Sequence, residues 1–406
     1  MRRAYKFRLR PTATQHVALA GCLDAHRELY NAALQERRDA YERVVRRSPA
    51  YWSADRPKGP ITYSIQSGQL KEIRAERPDM GIWSFSSQQA TLRRLNRAFE
   101  AFFRRAKAGE IPGYPRFKAQ HRFDCVEWPK DGDGCKWRPE AARVYLRGIG
   151  HVKATVHRRV EGLVKTISVK REGKKWFLVL SCDDVPKKPL EPTGRSIGLD
   201  MGIASFATTS DGAHIANPRH AEVGAKRLAR AQRVLVPKLR GSNNRAAARE
   251  TVAARHRKVA HSRRDFHHKV ARRLVEDFDV IYVEDLCVAN MVRRVEPVPD
   301  PETPGQFLPN AASAKTGLNR SINDAGWAQF RSLLCAKAED AGRTVLSVNP
   351  RHTSQRCAQC GHTDAGNRIS QAQFRCLACG HEAHAGVNAA RNILGAGLAL
   401  PDAHAA

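Results

Sequence analysis

Cys357-x-x-Cys360, fifteen intervening residues and Cys376-x-x-Cys379 form the most specific chemical signature in this chain. Each pair offers two thiolates from a tight knuckle, and two knuckles complete a tetrahedral S₄ shell for Zn²⁺. Gly361 and Gly380 directly follow the pairs, where a knuckle needs open backbone angles. Four protein ligands close the shell, so the expected zinc is structural and carries no catalytic water. His362 and His381 are read as bystanders. Two acids carry the second signature. Asp200 interrupts the apolar run "SIGLDMG", and Glu284 ends the apolar run "VIYVEDL". A carboxylate in an apolar strand is unfavourable unless a cation or hydrogen bonds compensate it. Two acids on adjacent strands of an α/β sheet are the usual framework for divalent-metal phosphodiester chemistry. The alternative that both merely cap strand ends near basic residues stays open. Asp285 would point away from Glu284 if the strand continued, so Glu284 is the candidate.

The elements that must position these groups follow from periodicity. In "AYKFRLR", Tyr5, Phe7 and Leu9 alternate with cations, which predicts a strand with one packed face. Leu19, Leu23, Tyr30, Leu34 and Tyr41 then follow a 3.6-residue period, a long helix. A polar stretch, "SPAYWSADRPKGP", precedes a second helix expected to be capped at Ser86/Ser87, with Leu92, Leu95, Phe99 and Phe102 as its stripe. "GEIPGYPRF" closes the helical part. Short strands return in "ARVYLR", "HVKATVH" and "VKTISVKREGKKWFLVLSC", the last a hairpin. A strand, a helical insertion and further strands predict a small β-barrel carrying a helical lobe. "DDVPKKPLEPTG" has linker composition. "SIGLDMGIASFATTSDGAHI" reads as two antiparallel strands joined at Ser-Asp-Gly, followed by a basic helical hairpin over 225–277. The strand "DVIYVEDL", a proline-rich loop, the helix "NDAGWAQFRSLLCAKAEDAG" and the strand "RTVLSVNP" complete an α/β layer.

The 406 residues imply several units, and a 42% hydrophobic content supports real cores. Lys+Arg 70 against Asp+Glu 40 gives a formal charge of +30. That excess predicts a polyanionic partner, nucleic acid above all, because counterion release from phosphates drives binding at dispersed cations. Arg93, Arg94, Arg97, Arg104 and Arg105 on the second helix, with Arg255, Arg257, Lys258, Arg263 and Arg264 on the hairpin, are the candidate phosphate contacts. No apolar run approaches the length of a membrane span and no signal peptide opens the chain, which argues against a membrane partner. Of ten cysteines only four are paired as CxxC, consistent with a metal site plus reduced thiols and a cytoplasmic setting.

"GLDMGIASFATTSDG", "VEDLCVANM", "NDAGWAQF", "NPRHTSQRCAQCGH" and "NAARNIL", with "YKFRLRPT" and "GYPRFK" near the start, together resemble the TnpB (OrfB) family of insertion sequences. That family consists of RNA-guided DNA endonucleases related to type V CRISPR effectors. The resemblance implies a multidomain α/β protein with an RNase H-like (RuvC) nuclease domain and an inserted zinc ribbon. It further implies an N-terminal wedge β-barrel carrying a helical recognition lobe. The corresponding ranges are a wedge at 1–12 and 113–190, a recognition lobe at 13–112, and a RuvC-like domain at 191–350 and 383–394. The ribbon spans 351–382 and a flexible tail 395–406. Implied partners are a guide RNA and a double-stranded DNA target, and implied cofactors are structural Zn²⁺ and catalytic Mg²⁺.

Carried over by motif, Asp200 and Glu284 are two members of a three-carboxylate site. The third member normally opens a "DVNAA" run, which here reads "GVNAA", so Gly386 stands in its place. A glycine removes one oxygen ligand and one negative charge. The expectation is impaired cleavage on an intact binding scaffold. Two alternatives remain: an active endonuclease in which Glu382 substitutes and Asn388 orients water, and a zinc-ribbon DNA-binding regulator without RNA.

Overall fold

The computed structural model describes residues 1–46, 61–303 and 305–400, in two compact units, Met1–Pro186 and Lys187–Ala406. The polar stretch at 48–60 and the last six residues of the predicted tail lie outside the described residues. In the first unit, β1 (Arg3–Arg10) leads into α1 (Ala13–Arg46), α2 (Tyr63–Glu76), α3 (Pro78–Gly81) and α4 (Phe85–Lys107). Six strands follow: β2 (Cys125–Trp128), β3 (Cys135–Arg138), β4 (Arg143–Leu146), β5 (Gly150–Thr155), β6 (Leu163–Glu172) and β7 (Lys175–Asp183). They join β1 in one antiparallel sheet of order β2-β6-β7-β1-β5-β4-β3. The alternation in β1 works as its side chains dictate: Tyr5, Phe7 and Leu9 are buried in one core with Val126, Trp128, Val152 and Leu178. The expected closed barrel is instead an open half-barrel, with β2 and β3 as its two edges among the described residues.

The helices depart from the sequence reading in three places. Ser84, not Ser86/Ser87, caps α4; its hydroxyl accepts the Ser87 amide at 3.4 Å, while both later serines sit buried inside the first turn. The helix α2, with only Gln66 and Leu70 buried, has too narrow an apolar stripe to announce itself. Tyr41 of α1 follows the period of the stripe but is 61% exposed.

The second unit is built on a sheet of order β10-β9-β8-β11-β12. Its strands are β8 (Ser196–Met201), β9 (Ser205–Thr209), β10 (His214–Ala216), β11 (Val280–Glu284) and β12 (Thr344–Val348). The stretch from 196 to 216 thus makes three strands rather than two. The Ser-Asp-Gly turn joins β9 to β10, and the unforeseen turn at 202–204 carries only one turn-type glycine. β8, β11 and β12 run parallel, and β9 pairs antiparallel with β8. Between β10 and β11 lies the helical hairpin α5 (His220–Leu235) and α6 (Asn243–Asp277). α7 (Val288–Met291), α8 (Ala312–Ala325) and α9 (Trp327–Ala341) precede β12. The single helix expected after the proline-rich loop is divided at Gly326 between α8 and α9.

Strand alternation gives this sheet two unlike faces. Ile197, Leu199, Ile281 and Val283 point into a core shared with α6, α8 and α9. Gly198, Asp200, Tyr282 and Glu284 point to the other face. That face is covered by α10 (Ala385–Leu398), which follows the ribbon hairpin β13 (Gln373–Arg375) and β14 (Glu382–His384). α10 passes so close that a Cβ on Gly198 would stand 2.2 Å from the Ala390 carbonyl oxygen, and one on Gly397 would meet the Tyr282 ring at 2.1 Å. The helix extends four residues into the segment predicted as tail, because its last turn packs on the sheet. Among the described residues, no helix is long and apolar enough to cross a membrane.

Candidate metal and nucleic-acid sites

The register of the sheet brings the two candidate acids together. Leu199 of β8 is level with Val283 of β11, so Asp200 and Glu284 are neighbours at the ends of adjacent parallel strands. Thr208 of β9 pairs with Asp200 from the other side. The first turn of α10 closes the group: a Cβ on Gly386 would lie 3.3 Å from Asp200 Oδ2 and 2.9 Å from Thr208 Oγ1. Residue 386 therefore sits beside Asp200 and presents no side chain there. His384 caps α10 by accepting the Gly386 amide on Nδ1 at 3.2 Å, and its ring packs edge-on to His214 at 4.5 Å. His214 Nδ1 lies 3.3 Å from the Thr208 hydroxyl.

The electrostatics are those of buried, crowded acids. Burial, and then the charge of Glu284, push the Asp200 carboxyl from its usual 3.8 up to about 7, partly offset by Arg368. Burial also raises Glu284, against a hydrogen bond from the Thr353 hydroxyl at 2.5 Å and the same Arg368 charge. Asp285 turns outward and pairs with Arg331 at 2.7 Å. Glu382, the proposed substitute acid, lies on β14 and pairs with Arg375 at 3.4 Å. Among the described residues it forms no group of three or more ligand-type side chains with Asp200 and Glu284.

The four cysteines do form such a group, with all Sγ atoms within 4.8 Å of one another. Cys357 and Cys379 approach at 3.8 Å, Cys360 and Cys376 at 3.6 Å. Sulfurs held about 2.3 Å from a tetrahedral zinc stand about 3.8 Å apart, so the cluster suits structural Zn²⁺. Each knuckle closes on a glycine at positive φ, Gly361 at 79° and Gly380 at 74°. His362 and His381 contribute only their carbonyls, which accept the amides of Cys357 and Cys376. Asn388 is fully buried and does not face the acids. Its side chain accepts the Ala358 amide at 2.9 Å and donates to the Arg356 carbonyl at 2.7 Å. Asn392 donates to the carbonyls of Thr353 and Arg356. The ribbon is thus clamped to α10, and the clamp holds Thr353 against Glu284.

The candidate phosphate contacts divide. Arg104 and Arg255 are exposed, and Arg97 is exposed with Glu127 4.0 Å away. Arg93 is half-buried, its guanidinium over the Tyr63 ring. Arg263 pairs with Asp324 at 2.7 Å, with both side chains largely buried, so it ties α6 to α8. Arg94 stacks on Phe123 and donates to the Cys125 carbonyl. Arg257 pairs with Glu250, while Lys258 and Arg264 are exposed. Thr208, Thr353 and Arg368 were invisible in the sequence, because each acts through strand pairing or long-range packing.

A family model described as a probable transposase (OrfB of IS605) matches residues 167–295. One described as the TNB domain of Cas12f1-like proteins matches 327–393. A third, described as a helix-turn-helix domain, matches 1–45, a stretch that folds here as β1 and the single helix α1. A putative RNA-guided DNA endonuclease of Escherichia coli K12, InsQ, is 34% identical over 98% of this chain and 92% of its own length. Another, from Streptomyces pristinaespiralis, is 31% identical over 98% and 90%. The CRISPR-associated endodeoxyribonuclease Cas12f1 of Sulfoacidibacillus thermotolerans is 30% identical over 54% of this chain and 50% of its own. With two relatives matched nearly end to end above that level of identity, the chain belongs to the TnpB (OrfB) family of transposon-encoded RNA-guided DNA endonucleases.

Proposed function

We propose that this chain is a guide-RNA-dependent DNA-binding protein whose RNase H-like (RuvC) centre cleaves poorly, because Gly386 replaces the third carboxylate. The observation that carries the reading is the position of Gly386: its backbone lies beside Asp200, and a Cβ there would stand 3.3 Å from Asp200 Oδ2. The sheet order, with three parallel strands and the acids on the first two, supports the RNase H-like assignment. The names of the relatives support an RNA guide and a DNA target as partners. In this reading the first unit comprises the wedge and the recognition lobe, and the ribbon is a zinc-stabilised clamp.

Asp200 and Glu284 would hold Mg²⁺, which when bound supplies Lewis-acid activation of water and neutralises charge at the scissile phosphate. Thr353 fixes one oxygen of Glu284, the charge of Arg368 favours the ionised form of both acids, and burial sets the pair apart from bulk water. Water replaces a lost oxygen ligand but not its charge, which is why the missing acid slows the chemistry rather than the binding.

The test is to purify the protein with its RNA, sequence that RNA, and offer matched duplex DNA with Mg²⁺. The duplex should be retained, and Gly386→Asp, alone or with Thr208→Ala to relieve the 2.9 Å approach of its Cβ to the Thr208 hydroxyl, should raise cutting by about 100-fold or more, equivalent to about 2.7 kcal/mol. Rapid cutting by the unmodified chain that disappears in Asp200→Ala would establish an active endonuclease instead. Absence of bound RNA would favour a zinc-ribbon regulator.

A further inference from the structure

The motif "GYPRFK", residues 113–118, plays no part in the acid centre. It lies in the first unit as a strap without regular secondary structure, anchored at both ends. Tyr114 packs edge-on against Phe99 and Phe102 of α4, with ring centroids 5.4 Å away in each case. At the far end, Asn31 of α1 accepts the Lys118 amide at 2.8 Å and donates to its carbonyl at 3.0 Å. Between these anchors Arg116 and Phe117 stay exposed. The strap lines an open groove of about 490 Å³, a size that suits a small ligand. The remaining lining residues, Arg38, Tyr41 and Glu42, come from α1, where spacings of three and four residues put them on one helix face. Tyr41 is 61% exposed and Phe117 41%, and the Arg38 guanidinium lies over the Phe117 ring at 5.4 Å. One exposed ring is ordinary, but two rings and two arginines around one groove match a nucleotide, whose base stacks while its phosphate meets a guanidinium. Glu42 is the informative exception, because a carboxylate repels phosphate. Its Oε1 stands 4.0 Å from Arg38. Ionised, it accepts hydrogen bonds, and the ribose 2′-hydroxyl is a donor that RNA offers whatever its base and that DNA lacks. A base inside a duplex has no free face to stack, so the occupant must be unpaired.

We propose that the groove between Arg38, Tyr41 and Glu42 of α1 and the 113–118 strap binds an unpaired RNA nucleotide. The base stacks on Tyr41 and Phe117, the phosphate meets Arg38 and Arg116, and Glu42 accepts the 2′-hydroxyl. This rests on the functional reading above, in which RNA is a partner of the chain, and deepens it by naming where a single-stranded stretch of that RNA is held. The two anchors of the strap hold its part of the groove in place before RNA arrives, which lowers the ordering cost of binding.

The full-length protein, freed of RNA, is titrated with a short oligouridylate at several salt concentrations and followed by fluorescence anisotropy. Tyr41→Ala and Phe117→Leu should each weaken binding about fivefold or more, with the salt slope unchanged, because stacking releases no counterions. Arg116→Gln should instead lower that slope by about one. An oligodeoxyuridylate of equal length should bind the unmodified chain more weakly, and Glu42→Ala should narrow the difference. Both rings are partly exposed, so the variants should fold, and their melting temperatures check this. In protein carrying its own co-purified RNA, ultraviolet irradiation should leave a nucleotide adduct on Tyr41 or Phe117, read by mass spectrometry. Unchanged affinity in both ring variants, an equal loss for a blunt RNA duplex, equal binding of the two oligonucleotides, or adducts confined to other residues would overturn the proposal. Absence of co-purified RNA would overturn the functional reading, whereas the titration with added oligonucleotide still decides the groove.

Discussion

At the scale of single residues, the acid pair is a liability that the fold tolerates. A carboxyl whose pKa rises from 3.8 to about 7 binds its proton more tightly folded than unfolded. Stability from this group is therefore greatest at low pH and falls as pH rises through the interval between those values. The full loss, reached above pH 7 in metal-free protein, is about 4 kcal/mol. Asp200→Asn should raise the melting temperature of metal-free protein at pH 8, by an amount that shrinks toward pH 5. Thermal unfolding across that range checks the sign, and a benefit that grows on acidification would refute it. Asp200, Glu284 and the cysteines could be read from the sequence because each breaks or spaces a local pattern. Thr208 and Thr353 could not, since an ordinary threonine gains its role only through β9 pairing and the ribbon clamp. Asn388 was misjudged for the same reason: its position in the motif pointed to the acids, whereas its amide is spent on the knuckle.

Elements carry the coupling between zinc and acids. The knuckle carbonyl of Arg356 accepts from Asn388 and Asn392, and Asn392 also holds the Thr353 carbonyl. Zinc extraction by a strong chelator should therefore free Thr353 from Glu284 and weaken Mn²⁺ binding at the acids, although no cysteine touches them. Restoring Zn²⁺ should recover the affinity, and unchanged Mn²⁺ binding in the zinc-free protein would show that the ribbon is independent. A second prediction concerns the helix seat. Gly198→Ala places a methyl 2.2 Å from the Ala390 carbonyl, so α10 must lift and carry residue 386 away from Asp200. A loss of several kcal/mol in stability is expected, in the range of overpacked cores with backbone displacement, measured by denaturant unfolding. The strand and helix periods made most elements legible, while the open half-barrel, the Gly326 break and α2 depended on packing that no short window contains.

For the whole molecule, a net charge of +30 makes affinity for nucleic acid a function of ionic strength. Exposed Arg104 and Arg255 should each contribute to the slope of log affinity against log salt. Replacing either with alanine should reduce that slope by about one. Arg263→Ala should leave the slope nearly unchanged and lower the melting temperature, because its guanidinium is committed to Asp324. Fluorescence anisotropy with guide RNA at several salt concentrations distinguishes the two classes.

The seat of α10 has one more consequence. Residues Ala385–Ala390 and Ile393 are buried, with the first turn of the helix against Thr208 and Asp200, its middle over Gly198 and its last turn over Tyr282. Amide protons along that stretch can meet solvent only when the sheet itself opens, so their exchange follows global unfolding rather than fraying. The backbone of Gly386 beside Asp200 and Thr208 should consequently exchange no faster than the core of the sheet.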